Sequence, residues 1–187
     1  GNTYWYVDAS FAVHHNMQSH TGGMLTLGDG AAISVSTKQK INTKSSTEAE
    51  LVAVDDTLPF NIWCYYFLCE QGYHANQCEP TKANATKLKF MGHTNVLYQD
   101  NTSSITLEEN GKRSSTKRTR HINIRYFLIT DKIKQGEITV DYCPTEEMLA
   151  DYFTKPLQGA QFRKLRNAIM GISDSDYIQL KLSLIHI

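Results

Sequence analysis

An aspartate stands inside the most strand-like stretch of this chain. Residues 4–13, YWYVDASFAV, are rich in aromatic and β-branched side chains, which is a strand signature. Alternation puts Trp5, Val7, Ala9 and Phe11 on one face and Tyr4, Tyr6, Asp8 and Ser10 on the other. A carboxylate in such surroundings is costly unless it is paired or bound to a metal ion. Asp8 therefore needs partners, and the fold must bring them from elsewhere.

Three further acids stand where a strand or helix can aim them: Glu50 in STEAELVAV, Asp100 in LYQDN and Asp151 in MLADYFTKPL. Each has a plainer reading when taken alone. Acids near a helix start favour the helix dipole, an aspartate after a strand is often a turn or cap residue, and Asp151 suits a solvated helix position. Glu48 competes with Glu50, because the two project to opposite sides of one helix and spacing does not choose between them. Taken together, carboxylates from separate segments are how a fold holds two divalent ions about 3.5–4 Å apart, an arrangement used to cut phosphodiesters. Oxygen donors on rigid elements suit Mg²⁺. The chain shows no persuasive Ser/His/Asp arrangement.

The elements follow in the order βββ-α-β-α-α-β-α. Residues 22–27 and 31–37 read as strands around the hairpin signal Gly28-Asp29-Gly30. Ser45-x-x-Glu48 and Thr47-x-x-Glu50 both fit a capping box, opening a helix from 46 to about 70. Pro59 predicts a kink or break around 57–59. Residues 73–95 read as an inserted loop, 96–99 as a strand and 101–109 as a short helix. Residues 119–134 are helical, with Ile122, Tyr126, Ile129 and Ile133 on one stripe. Residues 137–142 form a strand, a helix runs from Pro144 to Phe153, and another covers 159–170. A meander followed by alternating strands and helices gives an α/β mixed sheet covered by helices. One domain over residues 1–170 is expected, with 171–187 as a tail whose last six residues, LSLIHI, resemble translated sequencing-library adaptor.

The 187 residues carry no formal net charge, so a uniformly basic nucleic-acid binder is excluded. The charge is local instead. Residues 112–125 hold six Lys or Arg and no acid, and residues 38–44 hold three lysines. Arg113, Lys117, Arg118, Arg120 and His121 form one candidate phosphate grip; Lys38 and Lys40 form a second. Ser10, Thr47, Gln99 and Asn101 lie beside the acids and suit hydrogen bonds to a 2′-hydroxyl. A solvated basic loop is the plain alternative for 112–121. His74, Cys78 and His93 match no zinc-module spacing, and Cys64 and Cys69 read as packing residues. The four cysteines form no CxxC pair and no signal peptide is apparent, so a reduced intracellular compartment is expected. No apolar run approaches the roughly 20 residues that span a bilayer.

The segments YVDAS, SHTGG, KQKINTKSSTEAELVAV, LYQDNTSSI, KRTRHINIRYFLI and YCPTEEMLADYFTKPLQG, in that order, resemble the ribonuclease H domain that ends the polyprotein of copia-type (Pseudoviridae-like) LTR retrotransposons. The similarity runs from about Tyr4 to Met170. It implies an RNase H-like fold, a five-stranded mixed sheet flanked by helices. It also implies a metal-dependent endonuclease that hydrolyses the RNA strand of RNA·DNA hybrids during reverse transcription, leaving a 5′-phosphate and a 3′-hydroxyl. The implied cofactor is a pair of Mg²⁺ ions, with Mn²⁺ as a substitute. The implied partners are the hybrid and the reverse transcriptase of the same polyprotein, in the cytoplasm within retrotransposon particles. The family's Asp-Glu-Asp-Asp set maps onto Asp8, Glu50, Asp100 and Asp151, as catalytic residues and metal ligands. The apolar Leu51-Val52 after Glu50 favours it over Glu48.

One departure stands out. Many cellular RNases H carry a mobile histidine before the last acid, whereas residues 143–147 here are Cys-Pro-Thr-Glu-Glu. His121 is a substitute or, more simply, a substrate or structural contact. Two other functions compete: an inactive RNase H-like domain that binds hybrid or braces a reverse transcriptase, and an integrase-type nuclease, whose three-acid pattern these segments do not match.

Overall fold

The computed structural model describes residues 2–72, 94–111 and 123–173. The elements are β1 (Asn2–Ser10), β2 (His20–Thr26), β3 (Ile33–Lys38), α1 (Ser46–Glu70), β4 (Thr94–Gln99), α2 (Thr102–Asn110), α3 (Asn123–Lys134), β5 (Thr139–Tyr142), a 3-10 turn (Thr145–Glu147), α4 (Asp151–Thr154) and α5 (Gly159–Ile169). The strands form a five-stranded sheet in the order β3-β2-β1-β4-β5. The three meander strands are antiparallel, while β4 runs parallel to both β1 and β5. This is the mixed sheet that the element order predicts.

The two faces of β1 set the layers. Trp5, Val7 and Ala9 are buried in the main core with Ala53, Val54 and Leu58 of α1, Leu97 of β4 and Ile129 of α3. The Trp5 indole N–H donates to Thr57 Oγ1, so its one polar atom is satisfied inside the core. Asn61 of α1 and Asn95 of β4 exchange reciprocal amide hydrogen bonds at 2.8 and 2.7 Å, which fixes the helix against the sheet. On the opposite face, the Tyr6 and Tyr98 rings meet at a tilt with centroids 5.0 Å apart and pack on Cys143, Met148 and Ala150, the segment that leads into α4. Phe11 lies beyond the strand and is exposed.

Three expectations are corrected. Helix α1 runs unbroken through Pro59. Pro59 and Phe60 face solvent, while Leu58 and Asn61 on either side are buried, so packing holds the turn where propensity would break it. The predicted helix over 144–153 is instead a 3-10 turn and a separate four-residue helix, because Met148 is extended (φ −70°, ψ 98°) and drops its side chain into the second core. The predicted strand over 137–142 begins at Thr139. The 73–95 insert, apart from its last two residues, lies outside the described residues. So do the basic segment 112–122 and residues 174–187.

Glycine at position 22 controls how closely α4 approaches the sheet. Gly22 pairs with Asp8 across β1 and β2. A Cβ there would stand 2.5 Å from Thr154 Cγ2 and 2.8 Å from the Ala150 carbonyl oxygen. Helix α4 can lie on β2 only because residue 22 has no side chain. Gly22→Ala is expected to cost about 1–3 kcal/mol through overpacking, measured by urea unfolding. An unchanged midpoint would mean that α4 lifts freely from the sheet.

Candidate metal centre and acidic cluster

Asp8 and Asp100 reach the same rim because β1 and β4 are parallel, so their C-terminal ends point the same way. The β1–β4 pairing stops at Tyr6–Tyr98, yet β1 continues to Ser10. That overhang leaves backbone donors of β1 open to side chains. Glu50, in the second turn of α1, faces this overhang, where the Ala9 backbone partly offsets the rise in its proton affinity. Oxygen atoms of Asp8, Glu50 and Asp100 then lie within 4.8 Å of one another.

The competition between Glu48 and Glu50 is resolved by their partners. Ser45 caps α1 by accepting from the Glu48 N–H at 3.2 Å. The Glu48 carboxylate turns back to the Lys44 N–H at 2.7 Å, completing a capping arrangement. Glu48 is thus used up by the helix start, while Glu50 faces the rim.

Asp151 arrives from the other side, at the first residue of α4. Its Oδ1 accepts from Lys155 Nζ at 2.6 Å, and the same ammonium stands 3.4 Å from Asp8 Oδ1. Thr154 Oγ1 donates to Asp8 Oδ2. Ser10 Oγ donates to the Thr154 carbonyl at 2.9 Å, and Ser36 Oγ to that of Phe153 at 2.9 Å. Thr145 Oγ1 donates to Asp100 Oδ2 at 3.2 Å. Asp8, Glu50 and Asp151 are 2%, 5% and 3% exposed, so the negative charge is concentrated in a nearly dry place.

Burial and the neighbouring carboxylates raise the proton affinity of Glu50, Asp100 and Asp151. Glu50 is held well above the ordinary carboxylate range, first by burial and then by Asp8 and Asp100. Asp100 is raised by burial and by Asp8, with Lys155 and Thr145 pulling back. Asp151 is pushed up to about 6 by burial, against the hydrogen bond from Lys155. Burial lowers Lys155, but its bond to Asp151 and the charge of Asp8 outweigh that and hold it above its usual range. One buried oxygen, Glu50 Oε2, has no hydrogen-bond donor. Carboxylates crowded in this way with one oxygen left unsatisfied fit a hard divalent cation.

The other sequence candidates are spread around the rim. Ser10 is tied to α4 as described. Thr47 is half-buried in the first turn of α1, and Lys38 and Lys40 are exposed at and beyond the end of β3. Asn101 caps α2, its Oδ1 accepting from the Ser103 and Ser104 N–H groups. Gln99 is fully buried, and neither atom of its amide has a partner. Arg113, Lys117, Arg118, Arg120 and His121 lie outside the described residues. Sequence reasoning missed Thr154 and Lys155. The signal was present, since Lys155 follows Asp151 at i,i+4, a spacing that brings two side chains of a helical turn together.

No family profile matches the chain. Its sequence is 30% identical over 165 residues to the retrovirus-related Pol polyprotein from transposon TNT 1-94 of Nicotiana tabacum, covering 88% of this chain and 11% of that protein. It is also 30% identical over 173 residues to the Pol polyprotein from transposon RE2 of Arabidopsis thaliana, covering 90% of this chain and 11% of that protein. The chain therefore spans about a tenth of the length of these relatives. Among solved structures it superposes on LC11-RNase H1, isolated from compost by a metagenomic approach, with a TM-score of 0.56 and 13% identity over 81% of this chain and 91% of that one. That likeness is one of fold. Sequence and fold together place the chain with the RNase H-like segment of copia-type retrotransposon Pol polyproteins.

Proposed function

We propose that this chain is a metal-dependent endonuclease that hydrolyses the RNA strand of RNA·DNA hybrids during reverse transcription. The observation that carries this reading is the meeting of Asp8, Glu50 and Asp100 at one rim, with Asp151 joined to Asp8 through Lys155. Asp8, Glu50, Asp100 and Asp151 would hold two Mg²⁺ ions. When bound, such ions supply an activated water and neutralise charge on the phosphate and the leaving oxygen.

The chain's own groups do the positioning. The hydroxyls of Thr145 and Thr154 hold the carboxylates of Asp100 and Asp8, which in turn would fix where the scissile phosphate can lie. Hydrolysis joins a water oxygen to phosphorus and breaks the P–O3′ bond, leaving a 5′-phosphate and a 3′-hydroxyl. Ser10 already donates its proton to Thr154, so its oxygen is left to accept from a ribose 2′-hydroxyl. Thr47 and the Asn101 amide nitrogen stand close to the same acids in sequence and extend that role. The exposed Lys38 and Lys40 would make sequence-independent phosphate contacts, which weaken steeply with salt. Arg113, Lys117, Arg118, Arg120 and His121 supply the second grip in this reading. The partner is a hybrid presented by the reverse transcriptase of the same polyprotein.

The direct test uses a labelled hybrid with Mg²⁺ or Mn²⁺, and duplex DNA as control. Cutting is expected on the RNA strand alone, and Asp8→Asn should lower the rate by more than about a hundredfold. Tight hybrid binding without cutting, in this chain and in one joined to its polyprotein neighbour, would replace the nuclease with a bracing module.

The crowded acids predict two effects without substrate. Glu50→Gln removes a charge that burial and two aspartates oppose, so in EDTA it should raise Tm by roughly 2–4 °C. The same variant should lose most of the stabilisation that Mg²⁺ gives the wild type. A lower Tm would mean that the Glu50 charge is already compensated. The second effect concerns pH. Glu50, Asp100 and Asp151 bind protons more tightly folded than unfolded. Their contribution is therefore fully present at low pH and is lost as pH rises through the folded values. For Asp151 that window runs from its ordinary 3.8 to about 6. Metal-free protein should lose stability across it in urea titrations, and saturating Mg²⁺ should flatten the loss. A stability that climbs over this range would contradict the arrangement.

A further inference from the structure

Lys155 is the unexpected member of the cluster. It is not one of the acids, yet its ammonium occupies the gap between two of them, 2.6 Å from Asp151 Oδ1 and 3.4 Å from Asp8 Oδ1. Its backbone N–H is tied to the Asp151 carbonyl at 2.9 Å, so the root of the side chain is fixed at the end of α4. The side chain itself is 35% exposed, against 2% for Asp8, and a lysine stem has four carbons to turn on. The ammonium therefore has both a seat among the acids and a path to solvent.

We propose that Lys155 is a tethered counter-ion that holds the metal-free acid cluster together and is displaced when a divalent metal enters. This inference rests on the reading of the cluster as a metal site. Two facts of chemistry drive it. Without a cation, the carboxylates of Asp8, Glu50, Asp100 and Asp151 repel one another in a buried place, and among the described residues Lys155 is the cation in contact with the Asp8–Asp151 pair. A magnesium ion needs carboxylate oxygens at about 2.0–2.1 Å, and an ammonium held 2.6 Å from one of those oxygens is then crowded against a like charge. The two cations then compete for the Asp8–Asp151 edge. Lys155 thus stabilises the empty site and weakens metal uptake by the same contact, and the two effects are reciprocal. Thr154 completes the device, since its hydroxyl keeps Asp8 in place whichever cation is present.

The test compares wild type with Lys155→Met and Lys155→Arg, using Mg²⁺ alone and no nucleic acid. Lys155→Met is expected to melt roughly 2–4 °C lower in EDTA. By calorimetric titration it is expected to bind Mg²⁺ at least about fivefold more tightly. Lys155→Arg keeps a cation and should restore most of the metal-free stability. Unchanged or weaker Mg²⁺ binding by Lys155→Met overturns the proposal, because Lys155 would then be neutral toward the metal or would help to arrange its ligands.

Selective amine labelling of wild type, read by mass spectrometry at Lys155, needs no variant to fold. Labelling should rise when Mg²⁺ is added, and constant or falling labelling overturns displacement. If wild type takes up no Mg²⁺, the metal reading fails along with this one. If wild type binds and Lys155→Met binds equally, only the role given to Lys155 fails.

Discussion

The structure depends on concentrated negative charge held where water is scarce. Carboxylates from β1, α1 and the end of β4 meet at one end of the sheet, and Asp151 of α4 is joined to Asp8 through Lys155. Such a meeting costs free energy, and the surrounding architecture makes it tolerable. Parallel β1 and β4 place Asp8 and Asp100 at a common rim. The overhang of β1 beyond β4 leaves the Ala9 backbone to temper the proton affinity of Glu50. The threonines at positions 145 and 154 give a hydroxyl each to Asp100 and Asp8. Charge is met by directed donors wherever the fold can supply them, and what remains calls for a cation.

The placement of α4 follows from the same need. A four-residue helix has no stability of its own, since nucleating a first turn is unfavourable. It persists because three independent restraints hold it. Gly22 lets it lie directly on β2. Met148 and Ala150, just before it, are buried against Tyr6 and Tyr98. Hydroxyls from Ser10 of β1 and Ser36 of β3 reach its last carbonyls. Asp151 is thereby fixed by tertiary packing, although it sits on so short an element.

Much of this was legible in the sequence, for identifiable reasons. The alternation in YWYVDASFAV gave both faces of β1 and the isolation of Asp8, because a strand has period two and no tertiary contact changes that. Ser45 and Glu48 announced the start of α1 because capping is local chemistry. Local rules failed where long-range packing decides. Pro59 predicted a kink or break in α1, and the break does not occur, since buried neighbours on both sides hold the helix together. The 144–153 segment looks helical, yet Met148 leaves the helix path to fill the second core. The choice between Glu48 and Glu50 was open by spacing alone, because it turns on which one the Lys44 backbone captures. Lys155 was overlooked because its second partner, Asp8, lies 147 positions away.

Departures from good packing practice gather at this rim for a reason. Asp8 interrupts an aromatic strand, Glu50 keeps a buried oxygen with no donor, and Gln99, one residue before Asp100, buries an amide with neither atom partnered. A sequence selected only to fold would remove such faults, since each unsatisfied buried group costs about 1–3 kcal/mol. Their concentration in the stretches that also carry the acids marks where stability yields to chemistry. Glu108 and Gln39 are the exceptions among the described residues. Glu108 is buried in α2 with one oxygen unsatisfied and its carboxyl raised to about 7 by burial. Gln39 anchors α1 to β2 by donating to Thr21 and to the Ala49 carbonyl, so its unsatisfied oxygen is the cost of a useful tether. The rim has no such structural excuse. Among the crowded acids, the unsatisfied Glu50 oxygen is the fault that a bound cation would relieve.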